Sequence, residues 1–390
     1  MRGGTSNAIV FHQKDLPADR KLWDEIFLAA IGSPDPYGRQ LDGMGGGISS
    51  LSKVCVVGPS SRPDADIDYT FAQVQVKEAK VDYGSNCGNM SSAMGPFAVD
   101  EGVIKSTGKD ALVRVHNTNT KKVIWSRFAL DDGLSAVDGD LVIPGVSGTG
   151  SPVRLEFRDP GGATTGKLLP TGNVVDTLDV PGYGKFKASL VDAANATCFL
   201  NATDLGIKGT EMPEELDRDV ELLEKLAAIR IAASMAMGIG RTPEEAAEKR
   251  TVPFVGFVSG PQDATTLAGE KIEAGKIDLT ARMISNGQPH RALPLTVSLC
   301  TAVAARIEGS IVNQAARSSN DPAAEIRIAM PSGILTVAAS VYQKDGAWHA
   351  EQGAFYRTQR RLFEGFVYVR ASRAPSLLGT RAGKGQAVTA

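Results

Sequence analysis

The stretch YGSNCGNMSSA, residues 83–93, sets a cysteine, Cys87, among small polar residues directly before Gly88 and Asn89. Turn-forming residues precede it and small, helix-compatible residues follow, so the thiol stands where a helix begins. The thiolate is the reactive form of cysteine, and the positive end of a helix favours it. A thiol so placed can take up or return a proton. The remaining cysteines, Cys55, Cys198 and Cys300, lie in the apolar runs SKVCVVG, ATCFLN and LCTAVAARI and read as core residues. No two cysteines form a CxxC pair and none has histidines at zinc spacing, so no metal is expected. Glycines cluster in MRGGTS, DGMGGGISS and DPGGATTG. Such turns can present backbone N–H groups to a ligand. DGMGGGISS lacks the lysine and Ser/Thr ending of a phosphate loop, which argues against a nucleotide.

These residues need elements to hold them. SNAIVF, SKVCVVG and DIDYTFAQVQV read as strands, and PADRKLWDEIFLAAIG reads as an amphipathic helix with Trp23, Ile26, Phe27 and Ala30 on one face. After Cys87, MSSAMGPFAVDEGVI is a helix of small residues, suited to close packing on every side within a curved sheet. Residues 112–192 carry many short strands with Gly/Pro turns. PEELDRDVELLEKLAAIRIAASMAMGIG predicts a long helix that starts exposed and ends buried. LPLTVSLCTAVAARIEGSIV opens a second small-residue helix, followed again by strands. The order of strands, small-residue helix and strands thus occurs twice, and ligands favour the cleft between two such halves. APSLLGTRAGKGQAVTA reads as a loose tail.

Composition agrees with this organisation. At 390 residues the chain exceeds one ordinary core and predicts two domains of roughly 150–200 residues. A net charge of −2 offers no basic footprint for nucleic acid. No apolar run approaches the ~20 residues of a membrane span, and the N-terminus lacks a signal-peptide pattern. A cytoplasmic location is the default expectation.

MRGGTS, DGMGGGISSLSK, SNCGNMSSA, LLPTGNVVDTL, RMISNGQPHRA, CTAVAARI and FYRTQRRLFEGFVYV, in order from residue 1 to about residue 370, resemble the PrpF family. That family contains 2-methylaconitate cis-trans isomerase, 4-oxalomesaconate tautomerase and methylitaconate isomerase. The resemblance implies an α+β fold of two pseudo-symmetric domains like those of diaminopimelate epimerase. Each would be a curved, mainly antiparallel sheet around a central helix. Residues 1–183 with 352–390 would form one half and residues 184–351 the other, with the active site in the cleft between them. NCGNM is similar to the epimerase's Cys-Gly-Asn-Gly element, and ANATCFLNATDLG to its Gly-Asn-Pro-His region, with Asn195 at the asparagine. The epimerase uses a cysteine from each half, yet LPLTVSLC has none at the matching helix entry. The family instead implies a lysine in the SK element, here Lys53, beside Cys87. Asn7 stands where the family usually has lysine, Leu293 where relatives often have tyrosine, and relatives carry a short strand upstream of MRGGTS.

The implied reaction moves a proton on an unsaturated di- or tricarboxylic acid, by allylic double-bond migration or cis-trans isomerisation, without a cofactor. A base removes a proton beside a carbonyl, the charge spreads over the carboxylate as a dienolate, and a proton returns. Lys53 is expected as the base, acting as the neutral amine that burial favours and nearby carboxylates oppose, with Cys87 as partner acid or shuttle. Without the resemblance Lys53 reads as an exposed strand-end lysine. For the substrate's carboxylates, the helix entries at Gly88 and Asn89 and at Leu295 and Thr296 offer N–H groups. Thr5, Ser6 and Ser52 offer hydroxyls, Arg282, His290 and Arg291 offer polar or cationic groups, and Arg2 and Asn195 complete the expected binding set. The partner is a small molecule, with no nucleic acid or membrane, and a homodimer is the expected assembly. Two rival readings remain. An amino-acid epimerase on the same fold lacks its second cysteine here. A non-catalytic organic-acid-binding protein would not need both Lys53 and Cys87.

Overall fold

The computed structural model describes residues 1–84, 87–249, 252–285, 287–319, 321 and 324–380. The architecture is α+β, mixed sheets with few helices. The chain separates into two compact units, Met1–Leu155 with Tyr356–Ala390, and Glu156–Phe355. Residues 156–183 and 352–355, expected in the first half, therefore belong to the second unit. The strand Asp176–Val180 explains part of this difference. It pairs antiparallel with Gly184–Ala193, and Leu178 and Val180 are buried in the second unit's core.

In the first unit the strand Ser6–His12 runs parallel to Lys53–Pro59, which runs antiparallel to Ile67–Val74. Asp110–Asn117 and Lys122–Asp131 extend the sheet. Strand side chains alternate between faces. Val54, Val56, Ala72 and Val74 cluster with Trp23, Ile26, Phe27 and Ala30 of the helix Trp23–Ile31, whose apolar stripe is the one the periodicity predicts. Lys53 and Cys55 alternate with those valines and so face the other way, with Phe71 opposite Cys55 in the register.

The second helix of this unit, Gly88–Asp100, packs against several strands, among them Lys53–Pro59 and Lys122–Asp131. Every residue from Met90 to Val99 is buried. Its small residues permit this close approach. A Cβ on Gly95 would lie 2.6 Å from Ser126 Oγ. Buried hydroxyls must find partners, and here they bond back along the helix, Ser91 Oγ donating to Cys87 O at 3.0 Å and Ser92 Oγ to Asn89 O at 2.7 Å.

The second unit has its own enclosed helix, Leu295–Arg306, buried from Val297 to Ala305 and packed on the strands Gly184–Ala193, Asn195–Asn201 and Gly333–Lys344. Its sheet mixes antiparallel pairings with parallel ones, such as Asn195–Asn201 beside Phe254–Ser259. The long helix of the sequence reading is two, Pro213–Arg218 and Val220–Ala236, broken at Asp219, whose carboxylate accepts from Leu222 N at 3.0 Å. Nor does it run from exposed to buried. Leu222, Leu226, Ile229 and Ala233 form one buried stripe along its length, while Met235 is exposed. The expected loose tail starts docked. Ala374 is buried, and Ser376 donates to Glu25 from both its N and Oγ, at 3.1 and 2.6 Å. The rest of that tail, residues 381–390, lies outside the described residues.

Candidate active site

Cys87 is the N-cap of the Gly88–Asp100 helix, with extended backbone angles and a thiol that accepts from Met90 N at 3.5 Å. Residues 81–83, upstream of it, are pinned. Val81–Asp82 pairs with Gln73–Val74, Tyr83 O accepts from Asn119 Nδ2 at 2.8 Å, and Tyr83 Oη donates to Asp24 at 2.6 Å. Cys87, Gly88 and Asn89 are half-buried and Thr5 is exposed, so this mouth is open to a solute.

The MRGGTS turn closes against the same helix end. Arg2–Gly3 pairs with Ser6–Asn7. Gly4 has a φ of +49°, and a Cβ there would meet Asn89 Oδ1 at 2.2 Å and Arg357 Cδ at 2.9 Å. Only glycine combines that conformation with that proximity. Asn89 Nδ2 donates to Thr5 Oγ1 at 3.1 Å, and its Oδ1 accepts from Arg357 Nε at 3.1 Å. Gly4→Ala should cost about 1–3 kcal/mol and lower activity through displaced Asn89. Urea unfolding and steady-state rates measure the two, and wild-type values for both would mean the contact gives way freely.

Lys53 is 8% exposed. Its Nζ donates to Gln73 Oε1 at 2.5 Å and lies 5.0 Å from the centre of the Phe71 ring. Gln73 Nε2 donates in turn to Ser49 O and Ser52 O, both at 3.0 Å, so the amide that holds the amine is itself held. Cys55, two residues along the strand, shares the face of Lys53. Burial pushes Cys55 up to about 12 and holds the Tyr69 phenol well above its usual range. Both groups are therefore neutral, Cys55 Sγ standing 3.8 Å from Tyr69 Oη.

The remaining expected residues divide. Thr5, Gly88 and Asn89 gather at the Cys87 mouth, and Ser6 is buried in the adjoining turn. Arg2 reaches across that turn, donating to Gly4 O, Thr358 O and Thr358 Oγ1 at 2.9–3.1 Å, so it braces the turn. Ser52 is fully buried and bonds Gln40 Oε1 and Ile48 O at 2.7 and 2.8 Å, tying down the glycine-rich loop rather than offering its hydroxyl to a ligand. In the second unit Asn195 Nδ2 donates to Thr296 Oγ1 at 2.7 Å at the start of the enclosed helix. Arg282 is clamped by main-chain carbonyls. It is 2% exposed, and Nε, Nη1 and Nη2 donate to Glu211 O, Ala281 O and Thr210 O. Burial pushes its guanidinium down to about 10, with Glu211 and Glu215 opposing. Arg291 forms an exposed pair with Glu214 at 2.8 Å. His290 packs on Phe254 with ring centres 6.0 Å apart, and burial lowers it below the usual histidine value.

The residue missed by sequence reasoning is Arg357. It sits in FYRTQRR, far along the chain, and nothing local marks it out from Arg360 or Arg361. A cavity of about 150 Å³ also borders Lys53, lined by Ala8, Val10, Phe97 and the linked His12, Glu101 and Arg361. Its lining does not include Cys87 or Asn89.

Residues 1–370 match the family model described as PrpF protein. The chain is 42% identical over 375 residues to the 3-methylitaconate isomerase of Eubacterium barkeri, covering 96% of this chain and 97% of that one. It is 37% identical over 380 residues to the 2-methyl-aconitate isomerase of Shewanella oneidensis, covering 95% of each. Among solved structures it is similar to methylitaconate-delta-isomerase, with a TM-score of 0.88 at 40% identity over 99% of this chain and 96% of that one. Along nearly its whole length, in sequence and in fold, this chain belongs to the PrpF protein family.

Proposed function

We propose that this protein is an isomerase that moves a proton on an unsaturated di- or tricarboxylic acid, with Lys53 as base and Cys87 as partner acid. One observation carries the reading. A lysine held by Gln73 and a helix-capping thiol occur in one compact unit, in a chain whose relatives are named as methylitaconate and 2-methyl-aconitate isomerases.

The chemistry follows from the arrangement. Lys53 takes a proton from the carbon beside a carboxylate, leaving a dienolate. The N–H groups of the first turn after Cys87 stabilise the negative charge that develops, since they are fixed before the reaction begins. Cys87 returns a proton at the same carbon or further along the conjugated system. The first outcome with rotation is cis-trans isomerisation, and the second is allylic migration. This scheme needs no cofactor. The same reading treats the two units as related halves, each enclosing a small-residue helix with a polar pair at its start, Cys87 with Asn89 and Thr296 with Asn195. The hydroxyl of Thr296 where an epimerase would carry a second thiol speaks against amino-acid racemisation.

Incubation with methylitaconate, 2-methylaconitate, 4-oxalomesaconate and aconitate in deuterated water, followed by proton NMR, tests the proposal. Isomerisation of one acid with deuterium uptake is expected. Four unchanged spectra from folded protein would sink it.

A further inference from the structure

The Cys87 mouth has a cation behind it. Arg357 is 7% exposed, in the same unit as Cys87 and Lys53. Its Nε bonds Asn89 Oδ1 at 3.1 Å and its Nη1 bonds Tyr356 O at 2.8 Å. Its stem fills the space left by the missing side chain of Gly4. Three consequences follow. The guanidinium cannot swing into solvent, because two of its nitrogens are tied and its stem is packed. Asn89 has its amide orientation set, since an oxygen facing Arg357 leaves the nitrogen to donate to Thr5. Finally, a buried charge is screened little by salt, so its field reaches the half-buried thiol two residues before Asn89.

We propose that Arg357 is the positioning residue of this mouth, orienting Asn89 and Thr5 and supplying a fixed positive field that draws a carboxylate toward Cys87. The electrostatics agree. Burial pushes the Arg357 guanidinium down to about 10, and Cys87 is the charge that acts against that shift. Cys55 and Tyr69, which the Cys87 thiol acts on, are held neutral by burial. The purpose of the field rests on the isomerase reading, but its existence does not.

The test uses the thiol as probe. The same thiolate attacks iodoacetate and iodoacetamide and displaces iodide from each, so the ratio of their rates cancels the thiolate fraction and reports the local field. Cys55, Cys198 and Cys300 are fully buried and pushed up to about 12, which leaves Cys87 as the thiol that reacts in native protein. Peptide mass analysis verifies the site. In the wild type the iodoacetate to iodoacetamide ratio should exceed that of N-acetylcysteinamide severalfold and persist at high salt. A ratio equal to or below the free thiol's overturns the proposal without any variant. Arg357→Met should lower the wild-type ratio by roughly threefold to tenfold, and Arg357→Lys should restore most of it. An unchanged ratio in a folded Arg357→Met protein overturns the proposal, as does an equal fall in both variants, which would assign the effect to packing. Should the methionine protein not fold, Arg357→Gln replaces it under the same criteria. No isomerase activity enters the measurement, so a failed substrate panel and a failed field are told apart.

Discussion

Lys53→Met is expected to reduce isomerisation by about 10²–10⁴-fold, the range for losing a positioned general base. Methionine is close to lysine in length and can rest on Phe71, where Lys53 Nζ now lies 5.0 Å from the ring centre. It cannot donate to Gln73 Oε1, but Gln73 keeps its bonds to Ser49 O and Ser52 O. The strand should survive, since Val54 and Val56 anchor its other face. The loss should therefore appear in turnover and, equally, in deuterium exchange of the substrate, with little change in thermal unfolding. A variant that retains more than about a tenth of wild-type turnover would remove Lys53 from the role of base, given the same expected range.

Cys87→Ser should cost about 10²-fold in isomerisation, with a different signature. Serine is a better helix N-cap than cysteine, so the bond from Met90 N survives and the helix start should not suffer. What changes is the proton donor, because an alcohol gives up its proton far less readily than a thiol. If Lys53 removes the first proton and Cys87 delivers the second, the variant should still exchange the substrate's own proton while forming little product. The ratio of exchange to isomerisation then rises. Full isomerase activity in Cys87→Ser would take the thiol out of the mechanism and leave Lys53 in it. Exchange and isomerisation falling together would make Cys87 the first base and reverse the assignment.

Several of the elements could be read before the structure. The stripe Trp23, Ile26, Phe27 and Ala30 predicts the helix that covers one face of the first sheet. The small residues after Cys87 predict a helix enclosed by strands, because only short side chains let strands approach from many directions. A break at Asp219 was hidden because the apolar spacing runs through it. The capping carboxylate that ends one helix and starts the next is also an ordinary surface residue type.

By itself the sequence determined that a helix starts at Cys87 and to which family the chain belongs, both of which depend on residue types at short range or on motifs in fixed order. It also marked Gly4 as a turn residue, although not what the turn makes room for. Only the tertiary structure decided what each charged side chain is bonded to. Arg282, His290 and Arg291 look alike as candidates in one short stretch, yet Arg282 is spent on three main-chain carbonyls, Arg291 on a surface carboxylate and His290 on an aromatic packing contact. Arg357 reaches Asn89 across 268 residues of chain. Whether a cation is free, clamped or aimed depends on which carbonyls and amides the fold brings to it. Those partners are distant in sequence, and no local pattern encodes them.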